Sequence, residues 1–221
     1  MNKFVVAVAG PPNAGKGTLL SVLQKQEGLD VRIVQVSALL KAETKAGTEI
    51  GRIAKECMDA GQLVPDDIIN KMILNVLKDT SSGIVILDGY PRTQNQAEAM
   101  LKAGISPDFA VEITLPDEVL IERAADRIVC SNYNCSESYT KVDPFKRPKH
   151  EGICDKCGGN LVQRSDDNPE KFRKRLEDYH CLTVSIFRVM KDKGIPIHTI
   201  DRMTVGADQR FLELFDLNPL D

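Results

Sequence analysis

The sequence has no surplus of positive charge. Its 29 lysines and arginines are outnumbered by 32 aspartates and glutamates, a net charge of −3, so no basic field marks a nucleic-acid partner. Long apolar runs are missing too. None approaches the roughly 20 residues that cross a bilayer, so no membrane association is expected. The opening MNKFVVAVAG carries a lysine and an apolar stretch, but that stretch is only Phe4 to Ala9, and GPPN follows where a secretory signal would continue. Cysteine is not dense, with 6 in 221 residues. With neither signal nor anchor, the expected place is the cytoplasm. There thiols stay reduced, and clustered cysteines favour a metal over a disulfide. Internal repeats and low-complexity tracts are also absent. The length fits one ordinary domain, or one core carrying inserted subdomains.

What is present is an alternation. KFVVAV is a continuous β-branched run ending near glycine, as suits a strand buried on both faces of a parallel sheet. DVRIVQV, GIVILD, DFAVEIT and IPIHTI read the same way. Between them lie helix-like stretches at Lys16 to Gln26, Asp67 to Lys78, Thr93 to Ala103 and Asp117 to Arg127. Strands alternating with helices imply right-handed parallel crossovers and an open α/β sheet. A last long helix should be capped by Asn168, begin at Pro169 and stop at Gly194, with Phe172, Leu176, Tyr179, Thr183, Phe187 and Met190 as its apolar stripe. Two segments break the pattern. Ser37 to Gln62 looks helical, punctuated by Gly47 and Gly51, while Cys130 to Leu161 is polar and has no helical period. Both look like insertions.

GPPNAGKGT, Gly10 to Thr18, follows the first strand and opens the first helix, the context a P-loop requires. Glycines let backbone N–H groups converge on phosphate oxygens, and the helix N-terminus adds its positive end. Lys16 would place a cation on the β- and γ-phosphates. Thr18 stands one place later than the strict pattern wants its hydroxyl, and Asn13 occupies a place suited to glycine, which Asn tolerates through its access to positive φ. Asp88 ends a buried strand, where a P-loop enzyme places a carboxylate for Mg²⁺ or its waters. Arg92 follows in a Gly-Tyr-Pro-Arg turn that would hold a guanidinium still for phosphate.

The Gly10–Thr18 loop together with LDGYPRTQNQA resembles the adenylate kinases, and the likeness continues through GTEIGRIAKECMDAGQLVPDDI, RAADRIV and RSDDNPEKFRKRLEDYH. The resemblance implies a P-loop nucleoside-monophosphate-kinase fold with a five-stranded parallel sheet. Its core would span 1–34, 65–127 and 167–221, with a monophosphate-binding insertion at 35–64 and a lid at 128–166. It implies phosphoryl transfer from Mg²⁺-bound ATP to AMP giving two ADP, by a protein that works as a monomer in nucleotide biosynthesis. ATP would be held by Gly10, Asn13, Ala14, Gly15, Lys16, Gly17 and Thr18, with Arg123 stacking on adenine and Arg127 and Tyr139 adding contacts. AMP would meet Val36, Lys41, Gln62, Val64, Gly89, Arg92 and Gln96. Arg164 and Arg175 would bridge donor and acceptor phosphates. Planar guanidinium groups suit this work because they grip oxygens in bidentate fashion. No nucleophile or general base demands another scheme. In-line attack by the acceptor phosphate suffices. The chain departs from the family at QVSALLK. Val36 replaces a threonine that would touch the acceptor, and Lys41 replaces the arginine that would hold its phosphate. A kinase for another nucleoside monophosphate is the runner-up reading. A zinc-ribbon ATP-binding protein without kinase activity is the rival from another class.

Four cysteines remain. Cys130 and Cys135 have four residues between them, Cys154 and Cys157 two, and both spacings suit tetrahedral Zn²⁺. CDKCGG looks like the second knuckle of a zinc ribbon. Four thiolates close the coordination sphere, so the metal would be structural, cross-linking a segment too polar to build a core. The longer first spacing gives the loop SNYN more room. His150 could compete as a ligand, and His180 and His198 are expected to be structural. Cys57 and Cys181 fall in helices and are read as small buried hydrophobes.

Overall fold

A computed structural model describes residues 4–60, 62–80, 83–132, 135, 137–142, 146–164 and 167–216, with the side chains of 58 and 216 left aside. The chain divides into two compact units, one formed by Met1–Leu115 with Asp178–Asp221, the other by Pro116–Glu177.

The first unit is built on the expected parallel strands: β1 Phe4–Ala9, β2 Val31–Gln35, β3 Ile84–Asp88, β4 Phe109–Thr114 and a fifth at Ile197–Asp201. That fifth strand is β8 in chain order, and the sheet runs β2-β3-β1-β4-β8. Side chains alternate across it. Val5, Ala7 and Ala9 join one core with Leu40, Ile73, Met100 and Phe187. Val6 and Val8, fully buried, face the other way. Every residue of β3 is buried, as a strand covered on both faces requires.

Helices α1 Lys16–Gln24, α4 Asp66–Lys78 and α5 Gln94–Lys102 connect these strands. The insertion after β2 is two helices, α2 Val36–Ala46 and α3 Glu49–Asp59. Gly47 ends α2 in the left-handed region at φ 69°. Gly51 is not a break but an inner residue of α3, where a Cβ would lie 2.2 Å from the Glu43 carbonyl oxygen. No larger residue lets α2 and α3 meet so closely. A helix not anticipated from the sequence, α9 Ala207–Asp216, closes the unit. Its Phe215 ring stands 5.7 Å from that of Phe109 in β4.

The second unit contains α6 Asp117–Asp126, α7 Pro169–Asp178 and a three-stranded antiparallel sheet. Its strands are β5 Arg127–Cys130, β6 Ser138–Thr140 and β7 Leu161–Val162, in the order β6-β5-β7. Asn168 caps α7 as expected, its side-chain oxygen accepting the Glu170 N–H at 3.0 Å. The last helical run is not uniform. Tyr179–Thr183 is π-helical between α7 and α8, Val184–Asp192. Gly194 follows at φ 75°. Among the described residues, no helix is long and apolar enough to cross a membrane.

Candidate functional site

The phosphate loop leaves β1 and feeds α1 directly. Gly10 passes so close to β4 that a Cβ would lie 2.8 Å from the Ile113 carbonyl oxygen. Gly15 caps α1 at φ 84°, and its carbonyl accepts the Thr18 and Leu19 N–H groups at 3.1 and 3.2 Å. Ala14 is wholly buried beneath the loop. Asn13 takes the left-handed conformation at φ 64°. Its amide is buried, and neither polar atom has a partner among the described residues. Lys16 folds back over the loop, donating to the carbonyls of Gly10 at 2.6 Å and Pro11 at 2.9 Å. The loop therefore holds the ammonium in place with its own backbone.

Asp88 ends β3 and is buried. One of its oxygens accepts from the Gln35 amide at 2.8 Å. Gly17, Ser21, Gln35 and Asp88 line a cavity of about 280 Å³ beside the start of α1. A carboxylate opening on a cavity at a helix N-terminus fits Mg²⁺ or its waters, which take oxygen ligands. Thr18, in the first turn of α1, is a further oxygen donor.

Of the residues expected to meet the acceptor, Gly89, Arg92 and Gln96 gather at the turn after β3. Gly89, at φ 77°, leaves room for Arg92; a Cβ there would lie 2.9 Å from the guanidinium. Arg92 Nε donates to the Gly89 carbonyl at 3.1 Å. Gln96 is buried at 3% exposure. Its Nε2 donates to Asp66 Oδ1 at 2.7 Å, and its Oε1 accepts the Arg92 N–H at 2.7 Å. Val64 is buried in the core. Gln62 is exposed, and its N–H is taken by the Cys57 carbonyl at 2.8 Å. Val36, expected to touch the acceptor, is buried and packs with the core. β2 passes into α2 with no connecting residue, so the first turn of the helix turns Val36 inward. Lys41 lies half-buried in α2.

In the second unit, Asp167 organises the arginines, and sequence reading missed it. Its carboxylate is fully buried and takes a bidentate grip from Arg127, with Nε at 2.7 Å and Nη2 at 2.5 Å. Arg175 Nη1 lies 3.6 Å from the same carboxylate and over the Phe172 ring at 5.8 Å. Arg123 is exposed on α6, and Arg164 is exposed after β7.

The four cysteines come together. Cys130, Cys135, Cys154 and Cys157 offer sulfurs all within 4.8 Å of one another, with Cys130–Cys157 at 3.4 Å and Cys135–Cys154 at 3.7 Å. Zn–S bonds of about 2.3 Å put tetrahedral sulfurs roughly 3.8 Å apart, so the cluster fits zinc. Tyr139, expected to contact ATP, has its hydroxyl at this cluster, meeting Cys154 Sγ at 3.5 Å and accepting the Asp155 N–H at 2.9 Å. That contact pulls the Cys154 thiol down to about 6, helped by the backbone N–H groups of Cys157 and Lys156. Burial pushes Cys130 up to about 12. A cation is what would let all four ionise together. Gly159 sits close by, a Cβ there lying 3.1 Å from Cys130 Sγ. Residues 133 and 134 of the SNYN loop lie outside the described residues. Of the remaining cysteines, Cys57 packs half-buried against the core as expected, but Cys181 is exposed. Its place in the π-helical turn rotates it off the buried stripe.

Comparison with known proteins follows the same lines. The family model for adenylate kinase matches residues 8–195. The adenylate kinase of Symbiobacterium thermophilum is 41% identical over 196 residues, covering 86% of this chain and 88% of that protein. That of Caldicellulosiruptor saccharolyticus is 39% identical over 204 residues, 90% and 92% of the two chains. An archaeal relative, the adenylate kinase of Methanosarcina barkeri, is 37% identical over 215 residues, 95% of each.

Proposed function

The chain belongs to the adenylate kinase family, and from that premise we propose how its residues divide the work. The protein is a nucleoside-monophosphate kinase, reversibly moving the terminal phosphoryl group of ATP to AMP to give two ADP. The observation that carries the reading of the site is the Gly10–Thr18 loop, with Lys16 held by the Gly10 and Pro11 carbonyls at the start of α1.

Phosphoryl transfer asks the protein mainly for positioning and positive charge. The loop N–H groups and Lys16 cradle the β- and γ-phosphates. Bound Mg²⁺ would neutralise developing charge on those oxygens, held near Asp88 and Thr18. Arg92 fixes the AMP phosphate, and Gln96 meets the adenine edge. Arg127, Arg164 and Arg175 stabilise the charge on the transferred group, and Arg123 stacks on the ATP adenine. Residues 35–64 form the monophosphate insertion and 128–166 the lid, with 1–34, 65–127 and 167–221 as the core. A structural Zn²⁺ is bound by the four cysteines. The setting is the reducing cytoplasm, and the protein acts as a monomer. Lys41 keeps the charge of the family's arginine but loses its fork, which raises the KM for AMP, while Gln96 and Arg92 keep AMP the preferred acceptor.

The test is ADP formation from ATP with and without AMP, then across GMP, CMP and UMP. Lys16→Ala should lower kcat by at least about a hundredfold, the scale of losing one preorganised charge at a transition state. A variant keeping more than about a tenth of wild-type kcat removes Lys16 from its role. A faster reaction with GMP, CMP or UMP moves the protein to another kinase class.

A further inference from the structure

A glutamine amide that reads a base has a weakness. Its oxygen and nitrogen ends are nearly equal in shape, and a half-turn exchanges donor for acceptor. Adenine offers an amino donor at C6 beside the N1 acceptor. A 6-oxopurine offers an acceptor oxygen at C6 beside an N1–H donor. A base held in one pose by its phosphate and ribose therefore matches one orientation of the amide, and the 6-oxo base matches the other.

Here the orientation is fixed from behind. Gln96 Nε2 donates to Asp66 Oδ1 at 2.7 Å, and a carboxylate can only accept. Gln96 Oε1 accepts the Arg92 backbone N–H at 2.7 Å, and an N–H can only donate. A flipped amide would set oxygen against carboxylate and N–H against N–H. Asp66 is itself held. Its Oδ2 accepts from Thr93 Oγ1 at 2.7 Å, and the same hydroxyl caps α5 by accepting the Gln96 N–H at 3.2 Å. It also stands in the first turn of α4, where the helix end favours an anion. After these bonds the amide keeps one N–H on Nε2 and one lone pair on Oε1, now in a set order.

We propose that Asp66 is a specificity-determining positioning residue, locking the Gln96 amide so that the acceptor site takes a 6-aminopurine monophosphate and rejects a 6-oxopurine one. The inference rests on the reading that Gln96 meets the base. The carboxylate is the stronger half of the lock, because hydrogen bonds to a charged group are roughly twice as strong as neutral ones. An asparagine at position 66 could face either end of the amide.

The experiment compares kcat/KM for AMP and inosine monophosphate, which differ in the polarity of this edge alone. Asp66→Asn should lower the AMP-to-IMP ratio by about tenfold. Tyr90→Phe is the control. The Tyr90 hydroxyl belongs to the same buried network, donating its one hydrogen to Asn70 Oδ1 at 2.7 Å with the Gln96 backbone carbonyl 3.2 Å away, yet touches neither end of the Gln96 amide; it should leave the ratio unchanged. A ratio for Asp66→Asn within about twofold of wild type, with both rates or the melting temperature reduced, makes Asp66 merely structural and overturns the proposal. Gln96→Ala separates the underlying reading: an unchanged ratio there means Gln96 does not meet the base at all. Should Asp66→Asn fail to fold, Asp66→Ser, whose hydroxyl can either accept or donate and so can face either end of the amide, takes its place and is read against the same two outcomes.

Discussion

Asn13 combines two costs in one side chain. It holds φ 64° where L-residues are strained, and its buried amide has no partner among the described residues, which is worth about 1–3 kcal/mol. A phosphate oxygen arriving in the loop would meet that amide. The two consequences have opposite signs. Asn13→Gly should raise the stability of the nucleotide-free protein by about 1 kcal/mol or more, since relief of strain and of the unpaired amide exceeds the added freedom of the unfolded chain. It should also weaken ATP binding. Thermal unfolding and ATP titration check the pair, and a less stable glycine variant refutes the account. The loop itself was legible in sequence, because glycine, lysine and their spacing are local. The work of Asp66 and Asp167 was not. Asp66 acts on residues 27 and 30 positions away and Asp167 on one 40 positions away, and nothing local marks either as more than a helix-start acid.

At the scale of elements, legibility followed burial. The inner strands β1, β3 and β4 could be read because burial on both faces makes them continuous apolar runs, whereas the edge strands β2 and β8 are only partly covered and were legible through their β-branched residues alone. β6 and β7 have three and two residues, too short to show a period. α9 was missed although Phe211 and Phe215 stand one turn apart and buried, because no capping residue announced it. Gln96 was expected to read a base with one donor and one acceptor, and what the sequence did not show is that its other N–H and lone pair are taken by Asp66 and the Arg92 backbone. The same logic gives Asp167 its prediction. It joins β5, through Arg127, to Arg175 in the last turn of α7. Asp167→Asn leaves the guanidinium groups without their shared carboxylate. Breaking a buried pair costs roughly 3–5 kcal/mol, and partial exposure of both arginines brings the expected loss to about 2–3 kcal/mol. Urea unfolding measures it, and a loss under about 0.5 kcal/mol would show the tie to be idle.

For the molecule as a whole, the two units rest on different physics. The first has a broad apolar core. The second gathers a small cluster of Cys130, Tyr139 and Cys154 with Ile128, Cys135 and Leu161 around it, and this is where a metal would supply what apolar burial does not. Elemental analysis should return about one zinc per chain. A strong chelator should lower the melting temperature, with the loss centred on Pro116–Glu177 by hydrogen exchange. Metal-free protein that melts and reacts unchanged would exclude a structural zinc.

The strand order has a consequence for synthesis. β1 and β2 emerge first, yet they are not neighbours, and both bond to β3. No ladder of the large sheet can close until Ile84–Asp88 has left the ribosome. At about 5–20 residues per second, the apolar first strand spends on the order of several seconds as an unpaired ribbon, within reach of chaperones and of its neighbours on the same message.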